Sequence, residues 1–249
     1  MTPTKTWHTP GGEVQGFYLD LLKQSHVLVA GTTGCGKSTL INSLLCTALF
    51  YPPERYMFIL IDPKRVELSP WKKTPHVLLH ACESDDIVKA LKIAVELMDE
   101  RYEDMEAKGI KTSTDAHIWV IVDEFADLMT TDRDRAEPLL VRLAQLGRAA
   151  NIHLLLATQA PHRAVITAPI KLNMTATVAL RCREAIESRL IMGCKGAETL
   201  PMYGEGYYMT PEYREPILAA IPRISEDECD AMIQWWAPQR ESFFGNVSP

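Results

Sequence analysis

Val27-Leu-Val-Ala-Gly-Thr-Thr-Gly-Cys-Gly-Lys-Ser38 is the stretch of sequence that decides the fold. Its first four residues are apolar and predict a short buried strand, and the apolar positions after Ser38 predict a helix. The turn between them has the spacing Gly-x-x-x-x-Gly-Lys-Ser, which is characteristic of a phosphate-binding P-loop when it joins a strand to a helix. The sequence therefore predicts a site for a nucleoside triphosphate.

Each type of residue in this loop suits a phosphate for a physical reason. The glycines allow backbone conformations that a Cβ atom would hinder, so that successive N–H groups can approach a phosphate. The helix N-terminus adds the positive end of its dipole, Lys37 reaches the β and γ phosphates, and the Ser38 hydroxyl can ligate Mg²⁺. We expect ATP and Mg²⁺ as cofactors, with the nucleotide contacted by Gly31, Thr32, Thr33, Gly34, Cys35, Gly36, Lys37, Ser38, Thr39 and Asp123.

Cys35 stands at a position in the loop where a small residue such as serine is usual. A thiol beside a helix N-terminus is expected to have a lowered pKa. This predicts that thiol alkylation inactivates the protein and that ATP protects it. The alternative is an inert thiol that faces the core.

Length and composition place the chain among ordinary globular proteins. Its 249 residues, 47% apolar and 23% charged, can build one sizeable α/β domain. No run of 18 or more apolar residues and no N-terminal apolar segment is present, so we expect a cytoplasmic chain without a membrane segment of its own. The six cysteines include no C-x-x-C pair, so we do not expect these cysteines to bind a metal, and they imply no disulfide framework. A net charge of −6 argues against a broad basic surface for nucleic acid, but leaves room for a local basic patch.

Strands alternate with helices along the rest of the chain, which predicts a mostly parallel sheet with helices on both faces. Strands are expected at 56–61, 118–122, 152–157, 176–180, 206–209 and 217–221, and the last of these pairs with the strand at 206–209. One helix runs from an N-cap at Ser84 to Gly109, and another, at 133–150, buries Leu139, Leu140, Leu143 and Leu146. A final helix follows a capping box, Ser225-x-x-Glu228, and ends at Trp236. The predicted organisation is an N-terminal arm (1–24), a motor domain (25–236) and a flexible tail (237–249).

Two of these strands end in residues that suit nucleotide hydrolysis. The strand at 118–122 delivers Asp123 and Glu124, a Walker B pattern in which Asp123 holds Mg²⁺ and Glu124 polarises the attacking water. The strand at 152–157 delivers Gln159, which either senses the γ-phosphate or caps a helix. A glutamate beside the Walker B aspartate, with an additional strand between P-loop and Walker B, fits the RecA-like branch of P-loop NTPases. Members of that branch usually form rings with ATP at subunit interfaces.

Several motifs together resemble the motor core of the FtsK/SpoIIIE family of double-stranded DNA translocases. They stand in the order Leu28-Val-Ala-Gly-Thr-Thr-Gly-Cys-Gly-Lys-Ser38, Ile61-Asp-Pro-Lys-Arg-Val-Glu-Leu-Ser69, Val122-Asp-Glu-Phe-Ala-Asp-Leu-Met129, Arg142-Leu-Ala-Gln-Leu-Gly-Arg-Ala-Ala-Asn-Ile-His153 and Leu156-Ala-Thr-Gln159. The resemblance runs from about residue 11 to residue 236. It implies a hexameric ring that threads duplex DNA through its centre and hydrolyses ATP between neighbouring subunits.

The resemblance also implies roles for individual basic residues. Arg148 matches the family's arginine finger, which reaches the ATP of the adjoining subunit; the alternative is an arginine that complements a helix C-terminus. Pore-lining DNA contacts are implied for the loop at 160–173 and the loop after the next strand. Two basic positions of the family are alanine here, Ala160 and Ala185, so that the expected DNA-binding residues are Arg163, Lys171, Arg181 and Arg183.

Two other functions stay open at this stage. The first is a conjugative coupling or secretion ATPase that moves single-stranded DNA or protein at a membrane channel, with a membrane-anchored partner. The second is a nucleotide-binding scaffold that barely hydrolyses ATP, which an intact Glu124 and Arg148 argue against. The membrane helices, linker, extra motor lobe and winged helix of the division translocases have no counterpart in these 249 residues. We therefore expect a minimal motor or a motor core, without sequence-directed polarity.

Overall fold

The computed structural model describes residues 6–9, 12–15 and 24–244. The strands in this part of the chain are β1 (Thr6–Thr9), β2 (Gly12–Gln15), β3 (His26–Ala30), β4 (Tyr56–Ile61), β5 (Val77–Ala81), β6 (His117–Val122), β7 (Ile152–Thr158), β8 (Ala176–Ala179), β9 (Glu205–Met209) and β10 (Ile217–Ala220). The helices are α1 (Lys37–Ala48), α2 (Ser84–Lys108), α3 (Phe125–Thr131), α4 (Arg133–Leu146), α5 (Ala168–Asn173), α6 (Ala185–Met192), α7 (Glu226–Trp236) and α8 (Arg240–Phe244). Short 3-10 helices occupy Ser69–Lys73, Ala197–Thr199 and Ala237–Gln239.

One eight-stranded sheet forms the centre of the molecule, in the order β10-β9-β8-β3-β7-β6-β4-β5. The six strands from β8 to β5 are parallel to their neighbours, and β9 and β10 complete the sheet as an antiparallel edge. The prediction of a mostly parallel sheet is confirmed, as is the pairing of the last two strands. Strand β7 lies between the P-loop strand β3 and the Walker B strand β6.

Helices cover both faces of this sheet, as predicted. Alternate residues of the central strands point to opposite sides. On one side Leu28 and Val120 pack with apolar residues of α2, α3 and α4. On the other side Val27 and Ile121 pack with α1 and α7. The sheet is thus buried on both faces, which explains why its central strands are apolar throughout.

Several elements differ from the sequence-based expectation. Strand β5 and helices α3, α5 and α6 were not predicted. Helix α4 ends at Leu146 instead of residue 150, and its C-cap is Gly147, where a Cβ atom would clash with the carbonyl oxygen of Ile152. Leu146 is 40% exposed and does not face the core. Ser84 is the first residue of α2 rather than its N-cap, and its hydroxyl donates to Asp132.

Both ends of the chain contain more regular structure than expected. Strands β1 and β2 pair as an antiparallel hairpin within the predicted arm. The predicted flexible tail continues from α7 into a 3-10 helix and α8, where the Arg240 guanidinium donates to the carbonyls of Thr74 and Val77 at 2.5 and 2.9 Å. Residues 245–249 of that tail lie outside the described residues. Helix α7 carries the predicted capping box of Ser225 and Glu228.

Among the residues that the structure describes, no helix has the length and apolar character needed to cross a bilayer.

Candidate active site

The candidate site lies at the edge of the sheet where the parallel strands end. The P-loop follows β3, Asp62 follows β4, Asp123 and Glu124 follow β6, and Gln159 follows β7. Parallel strands end at a common edge, where open α/β sheets bind their ligands. Sequence positions up to 128 residues apart thus meet at one place.

Two of the three P-loop glycines, Gly34 and Gly36, adopt a backbone conformation that a side chain would disfavour. Gly34 and Gly36 have φ of 75° and 96°, in the left-handed region that disfavours a side chain. Gly31 is required for a different reason, since a Cβ atom there would lie 2.7 Å from the Leu180 Cβ and from the Cys35 Sγ. The glycine at position 31 therefore allows the loop to approach the end of β8.

Lys37 and Asp123 form a buried ion pair across the site. The Lys37 Nζ lies 2.7 Å from the Asp123 Oδ1 and 2.6 Å from its carbonyl oxygen, and each side chain is 3% exposed. Burial raises the pKa of the Asp123 carboxyl, whereas the adjacent Lys37 ammonium acts in the opposite direction. The pair holds the two main charged groups of the P-loop and Walker B motifs in contact.

Three partners hold the carboxylate of Glu124. Its Oε1 accepts hydrogen bonds from the Thr158 hydroxyl at 3.0 Å and the Gln159 backbone N–H at 3.2 Å. Its Oε2 lies 3.3 Å from the Lys64 Nζ, which also lies 3.7 Å from Asp127. Glu124 is thus fixed in orientation, and Lys64 places a positive charge beside it. Sequence reasoning assigned no role to Lys64, although its position in an Asp-Pro-Lys segment at a strand end was a usable signal.

Gln159 contacts the P-loop directly. Its Oε1 accepts a hydrogen bond from the Thr33 hydroxyl at 2.9 Å. The next helix along the chain, α5, begins at Ala168, so a role for Gln159 in capping it finds no support. This contact places the amide beside the loop where the phosphates are expected.

Cys35 differs from the expectation of a reactive thiol. It is 2% exposed, and burial raises the pKa of its thiol although backbone N–H groups and Lys37 act in the opposite direction. The cost of desolvating a thiolate outweighs the effect of the helix N-terminus. Cys35 is therefore a packing residue of the loop.

Arg148 lies at the opposite edge of the sheet. It is exposed in the turn between α4 and β7. Burial lowers the pKa of His26 at the start of β3, and the charge of Arg148 lowers it further. Strand β7 has seven residues, and a rise of about 3.3 Å per residue puts Arg148 roughly 20 Å from the P-loop of its own chain. Arg148 can act on a nucleotide only if that nucleotide is bound to another subunit.

The four residues expected to contact DNA differ in their surroundings. The Lys171 ammonium donates to the carbonyl of Leu190, and burial lowers its pKa. The Arg181 guanidinium donates to the Leu200 carbonyl at 2.9 Å. These two are internal contacts, which does not fit side chains that face DNA. Arg183 contacts the P-loop, as described below, and Arg163 is exposed in the loop after β7.

A cavity of about 520 Å³ opens beside the start of α1. It is lined by Gly36 and Thr39 on one side and by Tyr203, Ile221 and Arg223 on the other. A cavity that starts at the P-loop and carries an aromatic ring has the size and chemistry to take a nucleoside. No local sequence pattern predicts this cavity, because its lining residues come from distant parts of the chain.

The residues present fit a Mg²⁺ ion bound together with phosphates. Mg²⁺ prefers oxygen ligands and is usually held by one or two protein groups plus substrate phosphates. The Ser38 hydroxyl and the Asp123 carboxylate are of this kind. Asp62 is buried at the same edge, and its Oδ1 has no hydrogen-bond partner among the described residues, so that it adds negative charge which favours a cation.

A sequence model of a protein family, described as FtsK/SpoIIIE family, matches residues 10–118 and 115–163 of the chain. This match covers more than half of the 249 residues and contains every motif described above up to Gln159.

Curated relatives match over most of the chain. The DNA translocase FtsK of Pseudomonas aeruginosa is 35% identical, over 94% of this chain and 33% of the relative. The DNA translocase FtsK of Chlorobaculum tepidum is 36% identical, over 88% of this chain and 30% of the relative. The chain thus spans about a third of the length of these relatives.

Solved structures share the fold. The cytoplasmic domain of the type VII secretion ATPase EccC of Thermomonospora curvata has a TM-score of 0.77 at 23% identity, covering 91% of this chain and 30% of that one. The pCW3 conjugation coupling protein TcpA with ATPγS has a TM-score of 0.76 at 24% identity, covering 92% of this chain and 69% of that one. The expected RecA-like α/β fold is confirmed.

Proposed function

The chain belongs to the FtsK/SpoIIIE family of ATPases, and we propose that it is the motor core of an ATP-driven translocase that moves duplex DNA through a hexameric ring. The observation that carries the proposal is the separation of Arg148 from the P-loop of its own chain. A site that has the P-loop, Asp123 and Glu124 at one edge and its arginine at the other is completed by a neighbouring subunit. A ring supplies that neighbour to every site.

Binding of the nucleotide is assigned to the P-loop and the cavity beside it. The backbone N–H groups of residues 31–39 and the Lys37 ammonium hold the phosphates, which requires Lys37 to exchange Asp123 for a phosphate oxygen. Ser38 and Asp123 hold Mg²⁺, which when bound neutralises charge on the transferred phosphoryl group. The nucleoside occupies the cavity, with Tyr203 as a stacking surface.

Hydrolysis is assigned to groups that the fold holds in place. Glu124 accepts the proton of the attacking water, and its contacts with Thr158 and Gln159 fix its orientation. The side chain of Gln159 orients the water or contacts the γ-phosphate. Arg148 of the neighbouring subunit neutralises the charge that develops in the transition state.

Contact with DNA is assigned to the loop after β7. Arg163 is exposed there, and phosphate contacts need only a nearby positive charge. The relatives called DNA translocase FtsK support DNA as the cargo. A net charge of −6 is compatible with this, because a ring can be acidic outside and basic along its pore.

The second candidate is a cytoplasmic coupling or secretion ATPase that moves single-stranded DNA or protein with a membrane-anchored partner. The specific observation in its favour is the structural likeness to TcpA and EccC. Both candidates use the same ATP chemistry and differ in their cargo.

The experiment that separates them is the steady-state ATPase rate without DNA, with duplex DNA and with single-stranded DNA, at low and moderate salt. We expect stimulation by duplex DNA that fades as salt rises, because each phosphate contact releases a counterion. Lys37→Ala serves as the control for contaminating ATPase. Stimulation by single strands alone would favour the coupling ATPase, and no response to either DNA would remove DNA as the cargo of this chain.

A further inference from the structure

The loop after β8 is joined to the P-loop by two hydrogen bonds. The Thr32 backbone N–H donates to the Arg181 carbonyl at 2.7 Å. The Arg183 Nε donates to the Thr32 hydroxyl at 3.2 Å, and Arg183 is an exposed residue. The position expected to contact DNA is therefore occupied by an arginine that lies on the phosphate-binding loop of its own chain.

We propose that Arg183 is a second sensor of the γ-phosphate, which acts within its own subunit in addition to Gln159. The Thr32 hydroxyl is a neutral acceptor that engages one of the five guanidinium N–H groups. A phosphate oxygen is a charged acceptor, and arginine–phosphate hydrogen bonds are stronger and often bidentate. A triphosphate in the loop thus offers Arg183 a better partner a short distance away, whereas a diphosphate lacks the outermost charges.

The two threonines of the P-loop have parallel contacts. Thr33 contacts Gln159, the first residue after β7, and Thr32 contacts Arg183 in the loop after β8. Each contact therefore ties the P-loop to the start of one of the two segments that the family resemblance assigns to the pore. An exchange of threonine for phosphate at either position moves the start of that segment.

Helix α6 extends this connection away from the nucleotide. The Arg183 backbone N–H donates to the Glu187 carboxylate at 2.8 Å, within the first turn of α6. At the other end of α6, the Leu190 carbonyl accepts a hydrogen bond from Lys171 of α5. A displacement of Arg183 would thus be transmitted through α6 to α5. Its effect on the cargo rests on the proposed function, in which the loop that contains α5 lines the pore.

The same guanidinium could instead bind the phosphates of DNA, and the two roles are distinguished by which ligand the residue affects. The test is the equilibrium affinity for a non-hydrolysable ATP analogue with an imido bridge and for ADP, both with Mg²⁺ and without DNA. Arg183→Ala removes the guanidinium, Arg183→Lys retains a charge without the fork, and Arg189→Ala is a control that removes an exposed arginine from α6.

We expect Arg183→Ala to weaken binding of the ATP analogue about tenfold, the value of one charge-assisted hydrogen bond. Binding of ADP changes less than about twofold, because no γ-phosphate is present. The affinity of Arg183→Lys for the ATP analogue is expected to lie between those of the wild type and Arg183→Ala. Arg189→Ala is expected to bind both nucleotides as the wild type does.

An equal loss of affinity for both nucleotides would overturn the proposal. Unchanged nucleotide affinity together with a reduced salt dependence of DNA binding would return Arg183 to the DNA-contacting residues. Both of these results leave the ATPase assignment intact, whereas a wild-type chain that binds neither nucleotide would overturn the proposed function as well.

Discussion

Glu124 is held by Thr158, Gln159 and Lys64, and substitution by glutamine keeps the first two contacts while it removes the ion pair with Lys64 and the proton acceptor. In Glu124→Gln the amide oxygen can still accept the hydrogen bonds from Thr158 and Gln159, but the side chain can no longer take a proton. We expect ATP binding within about twofold of the wild type and turnover lowered by about 10²- to 10⁴-fold. Nucleotide affinity by fluorescence and phosphate release measure the two effects. Normal turnover in this variant would show that Glu124 is not the general base.

Cys35 leads to a prediction opposite to the one that the sequence favours. Because the thiolate is the reactive form and burial raises the pKa of this thiol, brief treatment with N-ethylmaleimide at neutral pH is expected to modify the half-exposed Cys194 before Cys35. Peptide mass spectrometry after timed quenching measures the order. Modification of Cys35 at the rate of Cys194 would mean that the loop opens readily.

Single residues could be predicted where a motif is contiguous and could not where partners are distant. The P-loop and Asp123-Glu124 are local patterns with a defined spacing. The contact of Lys64 with Glu124 joins positions 60 residues apart, and that of Arg183 with Thr32 joins positions 151 apart. No local signal distinguishes an arginine that faces the P-loop from one that faces DNA, so the contact of Arg183 with Thr32 could not be predicted from the sequence.

At the scale of elements, the long apolar strands and the periodic helix α2 were predictable because periodicity over many residues is a strong signal. The missed elements are short. Helix α3 follows Glu124 directly and has seven residues, α5 has six, and β5 has five. These elements are stabilised by contacts with other elements, β5 with β4, α3 with α4 and β7, and α5 with α4, rather than by their own sequence pattern.

Three histidines lie at the amino ends of β3, β6 and β7, and they predict that the folded chain loses stability in acid. His153 accepts or donates a hydrogen bond with His117 at 2.9 Å, and His26 accepts one from the Leu154 N–H. Burial, followed by neighbouring positive charge, lowers the pKa of His153 to about 3 and that of His26 to about 4. In the unfolded chain both would titrate near 6.5.

The unfolded state therefore binds more protons than the folded state between pH 6.5 and 4, so the free energy of unfolding falls as the pH falls through this range. Each histidine contributes up to about 1.4 kcal/mol per pH unit. Urea unfolding at pH 7 and pH 5 measures how much the free energy of unfolding falls between these two pH values. His153→Asn is expected to make this fall smaller. His162→Asn, a substitution of an exposed histidine, is the matched control. An identical pH dependence in wild type and His153→Asn would remove the buried imidazole as the cause.

At the scale of the whole molecule, the sheet separates the two parts of the proposed ATPase machinery. The P-loop and Glu124 lie at the carboxyl edge, whereas Arg148 lies at the amino edge beside His26. The sequence could suggest a finger through family resemblance, but it is the length of β7 that puts Arg148 roughly 20 Å from the P-loop of its own chain. The proposal that a neighbouring subunit joins the two edges thus rests on the folded chain and not on any motif.

This separation predicts complementation between two inactive variants. Arg148→Ala retains an intact nucleotide site and Lys37→Ala retains an intact Arg148, so a mixed ring contains interfaces in which both parts are present. Random mixing in equal amounts restores roughly a quarter of the interfaces, and we expect ATPase activity well above that of either variant. The control mixes Arg148→Ala with the double variant Lys37→Ala/Arg148→Ala, which supplies no arginine. If the first mixture were as inactive as this control, Arg148 would be an arginine that complements the end of α4, and the neighbouring subunit would have to complete the site with a different residue.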